Sequence, residues 1–303
     1  PMQWKMIHDV MKPRAKRVYF AGDDDQCIYS WMGVDVKDFL NASDNKTILD
    51  KSYRLPRNIY NVADSMVSQL GTRQKKVWMP KEEAGVVVWH HDMLGLDLTN
   101  GEWLILARTN YIANRVATEL KEQGYLFWRE GSGWSISPNV LTGIEVWLKL
   151  CKGIYLSAKE LRILSTLLKS DIVTKFGRKK LATLDNELTY NLESIRENFT
   201  TNVSAEMPWY DALKVSERER IYISSVRRMG EKILTNKPRI KISTIHKAKG
   251  GEADNVALLL DSSKPCVESP DQDSEIRTFY VGATRAKKAL HIIESQSMYG
   301  FKI

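Results

Sequence analysis

Two spacings of apolar residues alternate along the chain. One repeats every three to four positions and the other comes as short continuous runs, and their order predicts the fold class. Residues 2–12 set Trp4, Ile7 and Met11 on one helical face, and Pro13 with a basic turn follows. Residues 18–21 (VYFA) read as a short buried strand and 36–40 as a short helix. Residues 47–49 (TIL) predict a strand leading into a long helix, with Pro56 suited to its first turn. The runs GVVVWHH (85–91) and WLILAR (103–108) are rich in β-branched and aromatic residues and predict buried strands, and 110–123 is helical again. Strands alternating with helices in this way predict an α/β fold, a parallel sheet covered on both faces.

The pattern changes from about residue 152 to 236. ELRILSTLLKSDIV, DALKVSERERIYISSVRRMGEKIL and the polar stretch between them read as all helix. RIKISTIHKAKGGEADNVALLLD then returns to a strand ending at Ile242, a polar loop and a second strand, and IRTFYVGATRAKKALHIIE is a helix running into a last strand. The simplest organisation is an α/β domain interrupted by a helical insertion. No internal repeat or low-complexity tract is visible.

Composition narrows the partners. The 303 residues suffice for two or three domains with real cores. Lys and Arg (45) exceed Asp and Glu (37), a formal charge of +8 that biases the protein toward polyanions, most often nucleic acid. Cys27, Cys151 and Cys266 are far apart and form neither a zinc spacing nor a disulfide framework, so no metal ligands are predicted and a reducing, cytoplasmic setting is expected. No apolar run approaches transmembrane length and the N-terminus has no signal-peptide pattern, so no membrane partner is expected.

Candidate chemistry lies in four stretches. In STIHKAKGGEADNVALL (243–259), Gly250 and Gly251 let the backbone approach a ligand, and Thr244, His246 and the lysines offer donors suited to phosphate oxygens. Loops at the carboxyl ends of parallel strands are where α/β folds bind ligands, although a solvated basic turn is an equal reading of this stretch alone. In RTFYVGATRAKKAL (277–290), Arg285 follows a small-residue turn and can fork onto a phosphate, where the commoner fate of one Arg is a carboxylate on its own surface. LDKSYRLPRNI (49–59) sets Tyr53 and Arg54 between strand and helix, for a base and a phosphate or, for Tyr53, a place in the core. AGDDDQCIYSWMG (21–33) follows three carboxylates with Tyr29 and Trp31 on a turn. Acids alone suggest a metal site and aromatics alone a core.

Taken in order, these stretches resemble the superfamily 1 DNA helicases of the UvrD/Rep/PcrA type. GDDDQCIYSWMG is similar to that family's third motif, SYRLPRNI to the fourth, TIHKAKGGE to the fifth and YVGATRA to the sixth. ILARTN and the tail ESQSMYG are similar to segments that follow the fourth and sixth. The resemblance implies RecA-like motor domains: 1–45 as the end of the first, 46–151 and 237–303 as the second, and 152–236 as its helical insertion. It implies that Gln26 senses the nucleotide γ-phosphate, that Arg54 and Arg285 contact it from the second motor domain, that Glu252 accepts from the ribose and that Tyr53 packs on adenine. Tyr29 and Trp31 would stack on bases, and Arg108, Asn110, Thr244 and His246 would line the DNA track. The acid run then supports its turn rather than caging a metal.

The family's Arg after the motif-three Trp is Met32 here, its KGLE is KGGE, and the insertion is short. The sequence holds no G-x-x-x-x-G-K-[ST] phosphate loop and no apolar strand ending in Asp-Glu for Mg²⁺. The expectation is a fragment, cut after the second motif, of an ATP- and Mg²⁺-dependent helicase that moves 3′-to-5′ on single-stranded DNA, acts at single/double-strand junctions and is monomeric. The chain alone is expected to be inactive. The rival readings are a non-catalytic single-strand-binding or mediator protein on a relic motor domain, and the motor of a helicase-nuclease.

Overall fold

The computed structural model describes residues 2–200, 203–230 and 238–303, without the side chains of Arg178 and Ala182. The expected end of the insertion at 236 and the return to α/β at 237 lie outside the described residues.

Helix α1 (Met2–Met6) widens into a π-type turn at Ile7–Met11, and neither contains a buried residue. The strand expected at 18–21 does not form, and Tyr19 is 84% exposed. A strand needs a ladder partner for its backbone groups, and among the described residues none pairs here. Helix α2 (Val36–Leu40) is found where expected, its first turn capped by the Asp35 carboxylate, which accepts from Lys37 N. The strand expected at 47–49 begins instead at β1 (Lys51–Pro56), because only there does a parallel partner exist, β2 (Met79–Lys81). Pro56 is the N-cap of α3 (Arg57–Val67) and so precedes its first turn. Its fixed φ of −65° suits both the strand it ends and the helix it starts.

Strand β4 (Trp103–Ala107) and helix α4 (Asn110–Glu122) follow the predicted pattern. Strand β3 (Val86–His90) forms where expected but is not buried: it is an edge strand paired with β11 alone, and Val86 and Trp89 stay about half exposed. After them come β5 (Trp128–Arg129), β6 (Gly133–Trp134), α5 (Pro138–Cys151), β7 (Leu156–Ser157), α6 (Ala158–Leu167), α7 (Gly177–Ala182), β8 (Thr189–Tyr190), α8 (Leu192–Asn198), α9 (Trp209–Ala212) and α10 (Glu217–Arg228). The chain closes with β9 (Ile240–Thr244), β10 (Ala253–Leu259), α11 (Lys264–Val267), α12 (Gln272–Ala283) and β11 (Ala286–Ile293).

These elements form two compact units. The first holds Pro1–Thr118, Trp128–Gly131 and Arg239–Ile303, and the second holds Glu119–Phe127 and Ser132–Pro238. In the first, strands run β3-β11-β10-β4-β9-β5, every pair parallel. Alternate residues explain why it is covered on both faces. Leu104, Leu106, Val256, Leu258, Leu290 and Ile292 pack with Ile59, Ala63, Met66 and Val67 of α3 and with Phe279, Val281 and Ala283 of α12. Trp103, Ile105, Ala107, Ala257 and Leu259, between them in sequence, are buried as well. Gly282 lets α12 approach this closely, since a Cβ there would lie 2.7 Å from Leu258 Cδ1.

The second unit is helical around a core that includes Trp147, Leu150, Leu161, Leu164, Ile195, Leu213 and Ile223. Its departure from the all-helix expectation is a two-residue antiparallel ladder between β7 and β8. Among the described residues, no helix is long and apolar enough to cross a membrane.

Parallel strands also fix where the loops go. The segment 245–252 leaves the carboxyl end of β9 and must enter β10 at its amino end, so it runs the length of the sheet, about 16 Å for five residues. Thr244 and His246 therefore stand at one end, and Glu252 at the other beside Arg285, which directly precedes β11. The carboxyl-end placement expected for this loop holds only for its first half. Strand β9 also runs to Thr244, two residues past its expected end.

Candidate nucleotide and nucleic-acid site

The acid run folds into a tight turn. Asp23 caps it, its Oδ1 accepting from Asp25 N at 3.2 Å, and its Oδ2 accepts from Gln26 Nε2 at 2.7 Å. Asp24 and Asp25 are buried, and buried carboxylates need cations and donors. These come from a segment in which the sequence analysis identified no function. Arg73 holds Asp25 in a two-pronged contact (3.1 and 2.8 Å), and Lys76 Nζ lies 2.6, 2.5 and 3.0 Å from oxygens of Asp23, Asp24 and Asp25. Gln74 N donates to Asp24 Oδ2, while Arg277 donates to the carbonyls of Asp24 and Thr72. Burial pushes the Asp23 carboxyl up, but the Lys76 charge and the hydrogen bonds outweigh it and hold the group below its ordinary range. The three carboxylates are close enough to share an ion. They do not fit Mg²⁺, because Lys76 already sits among them and Arg73 occupies Asp25. Three adjacent acids did signal a need for cations, but nothing in the sequence said which ones.

Arg285 lies at the opposite extreme. It is 2% exposed, and it donates only to neutral acceptors: Val281 O (2.9 Å), Thr284 Oγ1 (3.1 Å) and Gly251 O (3.3 Å). Among the described residues it has no carboxylate partner, so the surface ion pair considered for it does not form. Burial and the charge of Arg54 lower its pKa to about 10. The Nε of Arg54 is itself buried and without a hydrogen-bond partner among the described residues. Two coupled cations, one with an unused buried donor, make a site prepared for an anion. Glu252 and Asp23 act on Arg285 through their charge, and Glu252 remains half exposed, 4.0 Å from Lys287 Nζ. Tyr280, raised by burial and by the charges of Asp23 and Asp25, stays protonated. Strand alternation turns Arg54 inward and Tyr53 outward. Tyr53 is 78% exposed with Lys51 Nζ 5.4 Å from its ring, so it is neither a core residue nor in the Arg54–Arg285 cluster.

The aromatic turn gathers the other group. Tyr29 donates its hydroxyl to His246 O at 3.1 Å, and its ring lies 6.0 Å from His246 and 6.4 Å from Trp31. Trp31 is 72% exposed. Lys249 reaches across: its Nζ stands 5.2 Å from the Tyr29 ring and donates to Gln26 O at 2.8 Å. Burial first, then the charges of Arg108 and Lys249, lower the His246 pKa to about 4, so the ring is neutral at pH 7. Arg108 is committed to buried Glu275 (2.8 and 3.0 Å), a residue that the sequence analysis missed and that also accepts from Ser262. Thr244 is buried, its hydroxyl accepting from Lys247 N, and Asn110 is exposed, its carbonyl accepting from Arg129. Pairing of β4 with β9 brings Arg108, Asn110, Thr244 and His246 to one end of the sheet.

Residues 169–297 match the family model of the UvrD-like helicase C-terminal domain. The chain is similar to the ATP-dependent DNA helicase PcrA of Leuconostoc citreum, 23% identical over 137 residues that make up 38% of this chain and 18% of that protein. It is also similar to the ATP-dependent DNA helicase PcrA of Staphylococcus epidermidis, 30% identical over 88 residues, 27% of this chain and 12% of that protein. The matched stretches thus span less than a fifth of the length of these relatives.

The imidazole of His246 makes stability depend on pH. The folded pKa of about 4 lies below the ordinary 6.5, so between these values the unfolded chain binds the extra proton. The contribution of His246 is complete above pH 6.5 and is lost as pH falls toward 4. Urea unfolding of His246→Gln should therefore show a flatter stability profile than wild type between pH 6.5 and 4. Parallel profiles for the two proteins would contradict the buried neutral imidazole.

Proposed function

From a chain that belongs to the UvrD/PcrA-type superfamily 1 helicases and carries their C-terminal domain, we propose the following activity. Within a longer protein it is part of an ATP-driven motor that moves 3′-to-5′ along single-stranded DNA and opens duplex at single/double-strand junctions, in replication, repair or recombination. The observation that carries this reading is the Arg54–Arg285 pair, two neighbouring cations with no carboxylate in ion-pair contact among the described residues. A polyphosphate supplies the missing anion. In this reading Arg54 and Arg285 hold the terminal phosphate of ATP and stabilise the charge that develops on it during transfer. Gln26 faces the same phosphate, Glu252 accepts from the ribose, and the exposed ring of Tyr53 covers the adenine.

The strand lies on the other group. Tyr29 and Trp31 stack on successive bases, which tolerates any sequence, and Arg108, Asn110, Thr244 and His246 line its path. Lys249, touching both Gln26 and Tyr29, links the nucleotide group to the base platform. The phosphate loop and the Mg²⁺ ligands that hydrolysis needs are absent from this sequence and belong to another part of the longer protein in this reading. Mg²⁺ there would neutralise phosphate charge.

Arg285→Ala in the complete protein should lower kcat by about 10³-fold, as expected for a transition-state arginine, and change nucleotide affinity far less. A rise in KM with kcat intact would show that Arg285 only binds ground-state phosphate. Changing Tyr29 and Trp31 together to Ala should weaken single-strand binding by about 1–3 kcal/mol per lost stack. The salt dependence should hold, since it counts phosphate contacts. A fall in melting temperature with affinity intact would assign the two rings to packing instead.

A further inference from the structure

The amide of Gln26 is committed at one end only. Its Nε2 donates to Asp23 Oδ2 at 2.7 Å, while its Oε1 accepts no hydrogen bond among the described residues. Turning the amide over would set Oε1 against a carboxylate oxygen at the same distance, two acceptors with no proton between them. The charge on Asp23 therefore decides which end of Gln26 is free. That charge has its own support: Lys76 Nζ lies 2.6 Å from Asp23 Oδ1, the oxygen that also accepts from Asp25 N. Lys76 is in turn fixed by Asp24 and Asp25. The turn and the segment that carries Lys76 are fastened by the fork of Arg73 on Asp25 and by Arg277, which bridges the carbonyls of Asp24 and Thr72.

Resting on the reading that Gln26 faces the terminal phosphate of ATP, we propose that Asp23 and Lys76 are positioning residues that hold Gln26 with its carbonyl oxygen toward the reacting centre. A free carbonyl accepts from the O–H of an attacking water, whereas a free NH₂ would donate to a phosphate oxygen. During hydrolysis the water oxygen bonds to phosphorus, the bond from phosphorus to the ADP oxygen breaks, and a water proton passes to the phosphate product. Gln26 orients the water and takes no proton. The sequence consequence is that a lysine 50 residues after the glutamine governs its chemistry, through a carboxylate that touches no substrate.

Two measurements test this. In the complete protein, Asp23→Asn replaces the carboxylate by a group that satisfies either orientation of Gln26. It should lower kcat by about 10²-fold, the loss typical of a misplaced reacting group, with Kd for nucleotide and single strand within a factor of two of wild type. Lys76→Met should act in the same direction, and Lys76→Arg should restore most of the rate. The second measurement needs no catalysis. In ¹H–¹⁵N spectra of this chain, the Gln26 NH₂ should exchange slowly with solvent in wild type and rapidly in Asp23→Asn. Wild-type kcat in Asp23→Asn, or fast exchange of the Gln26 NH₂ in wild type, overturns the positioning role. If the complete wild-type protein has no DNA-stimulated ATPase, the functional reading fails and the catalytic part of this proposal fails with it. The exchange rates still decide whether Asp23 holds Gln26.

Discussion

A buried positive charge needs an anion, and the first unit is arranged around a place where that requirement is met for some cations and left open for others. Arg73 and Lys76 are matched by Asp23, Asp24 and Asp25, and Arg108 by Glu275. Arg285, more deeply buried than any of these, donates only to carbonyls and a hydroxyl among the described residues, and Arg54 beside it keeps a buried donor without a partner among them. The charges of Glu252 and Asp23 offset part of the cost of burying Arg285, and an anion bound beside the two arginines would offset more. Selection for stability alone would have placed an acid there, as it did at Arg108.

The parallel sheet explains how this cluster and the aromatic turn relate. Segment 245–252 has to pass from one end of the sheet to the other, so one loop supplies His246 to the aromatic group, Glu252 to the arginine group and Lys249 between them. The turn after the acid run is built the same way: Gln26 is held by Asp23 and Tyr29 by His246, three residues apart. In the proposed reading, a displacement at the arginine pair would have short covalent routes to Tyr29 and Trp31, the arrangement a motor needs if hydrolysis is to move a strand.

Much of this was legible in the sequence, and the parts that were not share a physical cause. Strands β4 and β11 and helices α3 and α4 follow from apolar runs and helical spacing because their own side chains form the core. Residues 18–21 and 47–49 have the same apolar composition and remain unpaired, because a strand depends on its neighbour and single-chain periodicity does not show the neighbour. The motif residues were found as types at a spacing, which says nothing of their partners. That Arg108 is held by Glu275, that Lys76 sits among three aspartates and that Arg285 pairs with no carboxylate among the described residues are all facts of long-range contact. The distinction between a matched and an unmatched arginine, on which the functional reading rests, is available only from the structure.

The most direct measurement of the central claim is the affinity of this chain for inorganic tripolyphosphate, by calorimetry at low salt, in wild type, Arg285→Gln and Arg108→Gln. An anion site at Arg54 and Arg285 predicts binding by wild type that Arg285→Gln abolishes and Arg108→Gln leaves intact. Equal binding by all three proteins would mean that tripolyphosphate responds only to the general positive charge, and would contradict the account.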